Sequence, residues 1–377
     1  MTAFRFIHTS DLHLGRKFAN IAEAPDGHTR GRLMEARHGA IGRLRDAARS
    51  HLAQHVFVAG DIFDTATPSQ SIVRQALAAM GEDPDIHWWL LPGNHDNLNS
   101  AEPLWEAITR DAPPNVHPLI EAIPVELAPA VTLLPAPVTY RAAGQDLTEA
   151  LVAMPSPEGA IRIGLAHGGI VDFTDSAANI PPNRDQTARL DYLALGDWHG
   201  RIAAGPRVHY PGTPEQDRFK HDHRGICLAV TLEGPGAVPQ VVEVEVGHFL
   251  WLALALTLHP DQDAVAALHA LLPKSARRDV MVQVTVTGWA GLPEQAALAD
   301  AAAKIAPEFA FFELRTDSLG TTYDTADLDE IDRGGALRMA ANALRDESED
   351  ADVSAADRDI AAAALSRLYA YVKDEAQ

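Results

Sequence analysis

The chain has 377 residues, which is enough for two or three domains, and its 46% hydrophobic content provides for a sizeable core. The lone Cys227 excludes an internal disulfide and indicates a reducing compartment. A formal net charge of −21 does not favour a nucleic-acid partner, because phosphate contacts need a basic surface. Neither a signal peptide nor an apolar run of about 20 residues is visible, so we expect a cytoplasmic protein without a membrane partner.

Short apolar runs alternate with helical patterns over the first part of the chain, which predicts an α/β fold. The predicted strands are Phe4–Thr9, Val56–Ala59, His87–Leu91, Val131–Leu134, Ile161–Ala166, Tyr192–Leu195, His209–Tyr210, Ile226–Leu232 and Gln240–Val246. The predicted helices are Arg30–Leu52, Pro68–Met80 and Pro103–Arg110. Thr67 is the expected N-cap of the second helix, with Pro68 as its first helical residue.

A second alternation of three strands and two helices predicts a small α/β domain over residues 248–321. Its predicted elements are Trp251–Leu258, Asp263–Leu272, Val280–Thr287, Pro293–Ile305 and Phe309–Arg315. The remaining residues, 322–377, are rich in alanine and acidic side chains and are predicted to be helical over Ala336–Leu344 and Asp357–Val372. The stretch Asp346–Asp352 between them is expected to be a solvated linker.

Five polar clusters follow predicted strands, each at the point where a strand ends. They are Asp11-Leu-His13, Gly60-Asp61-Ile-Phe-Asp64, Gly93-Asn94-His95-Asp96, His167-Gly-Gly169 and Gly196-Asp197-Trp-His199. Loops at the carboxyl ends of strands converge on one edge of an α/β sheet, where such folds build their sites. Aspartate, histidine and asparagine are ligands of divalent metal ions. The five clusters together therefore predict a metal site.

Each cluster alone has an ordinary explanation. A lone Asp-x-His is usually surface chemistry, Gly-Asp and Gly-Asn are common turns, and a single strand-end histidine is more often packed than catalytic. Packing alone does not explain all five in this order and placement. The pair His221 and His223 also looks like ligands, but it lies in a polar loop and is interpreted as solvated.

The set of clusters resembles the calcineurin-like metallophosphoesterases over about residues 4–246. That family's pattern is Asp-x-His, Gly-Asp, Gly-Asn-His-Asp/Glu, a lone His and Gly-His-x-His. The residues within these motifs are most similar to those of the DNA repair exonucleases of the SbcD and YhaO type. The segments that carry this likeness are His8-Thr-Ser-Asp-Leu-His-Leu-Gly15, Gly60-Asp-Ile-Phe-Asp64, Pro92-Gly-Asn-His-Asp96 and Tyr210-Pro-Gly-Thr-Pro214.

The resemblance implies a four-layer α/β/β/α metallophosphoesterase sandwich over residues 1–247. It also implies a small α/β capping domain over 248–321 and an acidic helical segment over 322–377 that docks on an SMC-like ATPase. Two divalent metal ions, with Mn²⁺ as the expected ion, would hydrolyse a phosphodiester of DNA in repair or recombination, as an exonuclease or endonuclease. A homodimer is left open.

The resemblance also assigns roles to the residues of the five clusters. Asp11, His13 and His199 would hold the first metal ion and Asp61 would bridge the two ions. Asn94 and His167 would hold the second ion. His95 would be the general acid that protonates the leaving alkoxide, and Asp96 would orient His95.

One position departs from the family pattern, because Asp197 stands where the family has the first histidine of Gly-His-x-His. We include Asp197 among the expected metal ligands, with a question over how it binds the second ion. Two other functions stay open. One is a phosphodiesterase acting on a small or cyclic nucleotide. The other is a weakly catalytic DNA-end-binding subunit of an SMC-like ATPase complex.

Overall fold

The structure is a computed structural model that describes residues 3–23, 27–141, 144, 146–171, 179–260, 262–322 and 335–375. The chain divides into two compact units, Met1–Leu250 and Trp251–Gln377. Among the described residues, no helix is long and apolar enough to cross a membrane.

The first sheet of the first unit has six strands. They are β1 (Phe4–Thr9), β2 (His55–Val58), β3 (His87–Leu90), β4 (Val116–Pro118), β11 (Ile226–Leu232) and β12 (Gln240–Glu245). Their order in the sheet is β12-β11-β1-β2-β3-β4. Strands β1 to β4 are parallel to one another, whereas β11 pairs antiparallel with both β1 and β12. The carboxyl ends of β1, β2 and β3 therefore lie side by side.

The second sheet also has six strands. They are β5 (Val125–Ala128), β6 (Val131–Ala136), β7 (Ile161–His167), β8 (Tyr192–Gly196), β9 (Ile202–Ala203) and β10 (Val208–Tyr210). Their order in the sheet is β5-β6-β7-β8-β10-β9. The four central strands are parallel and the two edge strands are antiparallel to their neighbours. The short strands β4, β5 and β9 were not predicted from the sequence.

The helices of the first unit are α1 (Thr29–Ser50), α2 (Gln70–Gly81), α3 (Glu102–Asp111), α4 (Ala150–Ala153) and α5 (Arg184–Thr187). The predicted start of α2 is wrong by two residues. Its N-cap is Ser69, whose hydroxyl accepts the backbone N–H of Ile72, and Thr67 and Pro68 precede the helix. Serine and threonine hydroxyls can both accept a backbone N–H of the first helical turn. The sequence therefore does not distinguish Ser69 from Thr67 as the N-cap.

Three buried apolar clusters show how the layers pack. One joins the first sheet to helices α1, α2 and α3 through residues such as Ile41, Leu77 and Trp105. The second lies between the sheets and joins Phe6 and Phe57 of the first to Tyr192 and Leu133 of the second. The third lies on the outer side of the second sheet, where α4 packs. This order of layers confirms the predicted four-layer α/β/β/α sandwich.

The second unit is built on a three-stranded sheet. Its elements are β13 (Leu250–Leu258), α6 (Ala264–Leu271), β14 (Val280–Gly291), α7 (Leu292–Ile305), β15 (Phe311–Thr322), α8 (Ala336–Glu349) and α9 (Ala355–Glu375). The strand order is β13-β14-β15, and β14 and β15 are parallel. The Asp263 carboxylate caps α6 by accepting the backbone N–H of Ala266.

The two C-terminal helices pack within this second unit. Ala341 of α8 and Leu365 and Tyr369 of α9 form a buried cluster with Leu292 at the start of α7. The predicted linker Asp346–Asp352 is wrong in its first half, because α8 continues to Glu349 and carries those acids on its exposed side. Residues 323–334, at the start of the predicted acidic segment, lie outside the described residues.

Candidate metal centre

The loops that follow β1 and β2 stay paired beyond the ends of their strands. The backbone N–H of Asp11 donates to Gly60 O at 3.1 Å, and that of His13 donates to Asp61 O at 2.9 Å. This pairing holds the side chains of Asp11, His13 and Asp61 at one edge of the sheet. All three residues have left-handed backbones, with φ of 54°, 44° and 55°, and Asp197 has φ of 102°. Left-handed non-glycine residues are uncommon and cluster at functional sites.

Two glycines allow the loops to approach one another closely. A Cβ on Gly60, whose φ is +87°, would stand 2.2 Å from His167 Nδ1. A Cβ on Gly196 would stand 1.9 Å from Ala59 O. Glycine at these positions therefore lets the loops of the first sheet meet those of the second.

Three of the predicted ligands form a first group. His13 Nε2 and His199 Nε2 are 3.1 Å apart, and Asp11 Oδ1 lies 3.9 Å from each of them. Ligand atoms bound to one ion at about 2.1 Å are about 3 Å or more from each other. The three atoms therefore have the spacing of ligands to a single metal ion.

Asp61 connects the first group to a second one. Asp61 Oδ2 lies 3.7 Å from His13 Nε2 and 3.6 Å from His167 Nε2. Asp197 Oδ1 is 3.7 Å from His167 Nε2 and accepts the amide of Asn94 at 2.8 Å. With its Nδ2 donating to Asp197, Asn94 keeps its Oδ1 for a cation. Asp61 thus lies between the two groups, and Asp197 belongs to the second.

Two buried atoms at the centre indicate that these residues fit a cation. Asp11 Oδ1 and His167 Nε2 are buried and have no hydrogen-bond partner among the described residues. An unpaired buried polar atom costs about 1–3 kcal/mol, so buried polar atoms normally have partners. The other ring nitrogen of His167 contacts Ala59 O at 2.8 Å, which aims Nε2 into the site. An ion at the centre would satisfy both atoms.

Burial disfavours the negative charge of the carboxylates at and around the second group. Burial raises the pKa of Asp197, and the charges of Asp11 and Asp61 raise it further, whereas His167 lowers it. Burial also raises the pKa of Asp96 to about 7, with a further contribution from Asp61. A bound cation would offset this repulsion.

The ring of His95 lies beside the first group, and its centroid is 4.7 Å from that of His13. His95 Nδ1 is 2.8 Å from the backbone carbonyl of Asp64, to which it donates. The predicted role of Asp96 is corrected. Its carboxylate accepts the backbone N–H groups of Gly93 at 2.7 Å and Phe63 at 3.1 Å and does not contact the His95 ring. Asp96 thus ties the loops together, and the Asp64 carbonyl orients His95.

Residues 4–197, half of the chain, match the family model of the calcineurin-like phosphoesterases. The chain belongs to this family. Membership of the calcineurin-like phosphoesterases indicates phosphoester hydrolysis with divalent metal ions, and the ligand groups described above suit that chemistry.

Two bacterial proteins are similar in sequence to this phosphoesterase. The uncharacterized metallophosphoesterase YhaO of Bacillus subtilis is 28% identical over 237 residues, which are 58% of this chain and 55% of that protein. The D subunit of the nuclease SbcCD of Escherichia coli K12 is 32% identical over 98 residues, which are 25% of this chain and 22% of that protein. The chain therefore spans about half the length of YhaO and 22% of the length of the SbcCD D subunit.

A solved structure, that of TT1561 from Thermus thermophilus, is also similar. It aligns with 64% of this chain and 99% of its own, with 10% identity and a TM-score of 0.41. This similarity is too low for a residue-by-residue comparison of the sites.

Two carboxylates that support the phosphoesterase centre were not predicted from the sequence. Asp64 Oδ1 is 3.4 Å from His13 Nδ1, and Asp217 Oδ2 is 3.3 Å from His199 Nδ1. Each therefore lies beside the ring nitrogen of a histidine that faces away from the centre, and His199 Nδ1 is also 3.5 Å from Asp217 Oδ1. Arg16 lies 3.3 Å from both carboxylates and links them. Asp64 was visible in the second cluster, but nothing in the local sequence marks Asp217.

Asp217 is fully buried among positive groups. Burial acts to raise its pKa, but the hydrogen bond from His199 and the charge of Arg37 outweigh it and hold the pKa well below its usual range. Carboxylates behind metal-binding histidines fix the ring and raise its basicity. Asp217 is thus placed to fix the His199 ring with Nε2 aimed at the centre.

We expect Asp217→Asn to weaken metal binding by about 10–100-fold, because the carboxylate that orients His199 is lost. The measurement is a calorimetric titration of metal-free protein with Mn²⁺. Asp222→Asn removes an exposed carboxylate from the same loop and serves as the matched control. Equal affinities in both variants would show that Asp217 has no role in binding.

The metal-free centre should carry an extra proton on His167. Burial acts to lower the pKa of His167, but Asp61, Asp197 and Asp11 raise it to about 9. A raised histidine pKa stabilises the metal-free fold fully below the unfolded value of 6.5, and this contribution is lost as pH rises through about 9. Metal binding has the opposite dependence, because a ligand imidazole must be neutral.

We therefore expect the apparent affinity for Mn²⁺ to rise between about pH 6.5 and 9, by up to about tenfold per pH unit, with release of one proton from His167. Calorimetry in buffers of different protonation enthalpy counts this proton. The His167→Asn variant, which cannot hold the proton, provides the reference. Binding without proton release in this range would contradict the assignment.

Proposed function

We propose that this phosphoesterase is a two-metal-dependent phosphodiester hydrolase that acts on DNA, as an exonuclease or endonuclease in repair or recombination. One observation carries the proposal: ligand atoms from five separate loops converge in two groups, and Asp61 Oδ2 lies within 3.7 Å of a histidine nitrogen of each group, with His95 beside them. The proposal concerns this chain alone, which spans only part of its relatives.

The ligand sets of the two ions follow from these groups. Asp11, His13 and His199 would hold the first ion, Asp61 would serve both ions, and the second would take the ligands Asn94, His167 and Asp197. When bound, two divalent ions supply positive charge that activates water and stabilises the phosphoryl oxygens during in-line displacement.

The protein itself supplies the proton for the leaving group. With Nδ1 donating to the Asp64 carbonyl, His95 in its protonated form has Nε2–H as its second donor. As the bond from phosphorus to the leaving oxygen breaks, His95 would donate this proton to the alkoxide. The backbone N–H of His95 donates to Asp61 Oδ1 at 2.9 Å, which fixes the acid relative to the shared ligand.

Mn²⁺ is our proposal for the ion. The second set would contain oxygen atoms of Asp61, Asn94 and Asp197 and a single nitrogen, from His167. Oxygen ligands favour harder ions, and an aspartate in place of a second imidazole moves the preference away from Zn²⁺.

The proposal of DNA as substrate rests on the sequence motifs and on similarity to a protein named as part of a nuclease. The family match alone would also suit a phosphodiesterase of small or cyclic nucleotides, and the net charge of −21 favours that alternative. The third candidate function, that of a weakly catalytic protein that binds DNA ends, draws on the unusual Asp197.

The proposed partner is an SMC-like ATPase that docks on the second unit, which also carries the proposed capping domain over residues 248–321. Large apolar side chains are exposed on the two C-terminal helices: Leu337, Met339, Ile360 and Tyr371. Exposed apolar side chains on helices are suited to groove binding. Co-expression of the ATPase with wild type and with Met339→Glu/Ile360→Glu tests this docking, since only the wild type should co-purify. A homodimer is the alternative use of this face.

A nuclease assay separates the three functions. Purified protein with Mn²⁺ is given single-stranded DNA, double-stranded DNA and a small chromogenic phosphodiester. Cleavage of DNA supports the proposal. Cleavage of the small ester alone indicates the small-substrate enzyme, and DNA binding without cleavage of any substrate indicates the weakly catalytic protein.

A further inference from the structure

The loop that follows β10 brings positive charge to the edge of the metal centre. We call residues 217–224 the rim loop. It carries three basic side chains and two histidines: Arg218, Lys220, His221, His223 and Arg224. The two histidines, expected to be solvated, are half-buried. A Cβ on Gly200 would stand 2.6 Å from His221 Cε1, so the rim loop packs directly against the segment that carries the ligand His199.

Lys220 is held over an aromatic ring at this edge. Its Nζ lies 4.5 Å from the ring centroid of Trp198, the residue between Asp197 and His199. The indole is partly buried against the outer apolar cluster of the second sheet, which fixes its position. A cation over an indole face is attracted by the ring quadrupole. Trp198 therefore holds the Lys220 ammonium at the segment that carries Asp197 and His199.

Two cations of the rim loop, Arg218 and Lys220, differ in their partners. Arg218 donates to Asp217 at 2.9 Å and lies 3.2 Å from His199 Nδ1, so its charge is used to support the ligand. Lys220 is exposed, and no described carboxylate lies within 4.0 Å of its ammonium. Its charge is therefore available to an anion.

We propose that Lys220, held over Trp198, binds the phosphate next to the scissile phosphodiester of a nucleic-acid strand. This inference rests on the proposed function and names a substrate contact for it. Consecutive phosphates of a strand are spaced by about 3.4 Å of helix rise, so a strand with one phosphate at the metal ions has others within reach of the rim. In a chain with a net charge of −21, a cation of the rim loop without a described carboxylate partner provides local positive charge for a nucleic-acid strand.

The test compares two substrates in the full chain loaded with Mn²⁺. One is a single-stranded oligodeoxynucleotide, and the other is the p-nitrophenyl ester of thymidine 5′-phosphate, which has no neighbouring phosphate. We expect Lys220→Ala to raise the ratio of the oligonucleotide KM to the ester KM by about tenfold. It should also reduce the salt dependence of oligonucleotide binding by about one phosphate contact.

Two further variants serve as controls. Lys220→Arg keeps the charge and should keep the wild-type ratio, and Arg110→Ala removes an exposed charge from the far end of α3 and should leave the ratio unchanged. If wild type cleaves the oligonucleotide and Lys220→Ala has the wild-type ratio, the Lys220 contact is overturned while the proposed function stands. If wild type cleaves only the ester, both are overturned.

Discussion

Replacing His95 with alanine is expected to lower kcat by roughly 10²–10⁴-fold while both metal ions stay bound. The ring of His95 contacts the Asp64 carbonyl and lies beside the ligands, so its loss removes the proton donor but no proposed ligand atom. The backbone N–H that donates to Asp61 remains in the variant. Steady-state kinetics and elemental analysis of the same preparation measure the two effects.

A second substrate separates acid catalysis from general disturbance of the site. With p-nitrophenolate, a good leaving group that needs little protonation, the His95→Ala defect should be much smaller than with an alkyl phosphodiester. His259→Ala, at an exposed histidine of the second unit, is the control. Loss of metal from folded His95→Ala protein would show that His95 is a ligand instead.

Asp61→Asn is expected to lower kcat/KM by about 10³-fold or more, because several kcal/mol of metal-derived stabilisation would be lost. Asp61 Oδ2 is within 3.7 Å of both His13 Nε2 and His167 Nε2, so it faces a histidine of each group. If the asparagine oxygen keeps the hydrogen bond from His95, its amide would point donors at both ions. We expect metal content to fall below two ions per chain.

The fold should survive this substitution. In the metal-free protein the charge of Asp61 raises the pKa of Asp96 and also that of His167, so its removal relieves a repulsion and loses an attraction at the centre. The melting temperature of metal-free Asp61→Asn should therefore stay close to that of metal-free wild type. Asp111→Asn, on the exposed end of α3, is the control. A variant with two bound ions and normal turnover would refute the shared-ligand assignment.

The sequence predicted the parts of the fold that depend on local pattern. Strands β1 and β11 were predicted with the bounds found, because β11 is a nearly continuous apolar run and β1 centres on the apolar residues Phe4, Phe6 and Ile7. The clusters after the strands were also placed correctly at one edge. Strand β9, with two residues, has no pattern of its own and forms only because β10 offers it a partner.

Features that depend on the direction of a side chain could not be predicted. Asp96 follows His95 in the sequence, yet its carboxylate faces the backbone of Gly93 and Phe63. Asp217 reaches His199 across a turn whose geometry is set by the packing of buried Arg37 and Glu215. Neighbourhood in the sequence does not specify such contacts, which depend on tertiary structure.

The left-handed backbones at the ligands bear on how the protein chooses its metal. Asp11, His13 and Asp61 hold these conformations through loop pairing and burial, each at a cost of about 1–3 kcal/mol that folding has already met. An arriving ion then finds nearly every molecule with its ligand loops in the binding-competent backbone conformation, and its apparent affinity is not reduced by a rare loop conformation. Selectivity among ions would then depend on ligand chemistry and cellular supply, because the ligand loops need not change conformation to bind an ion.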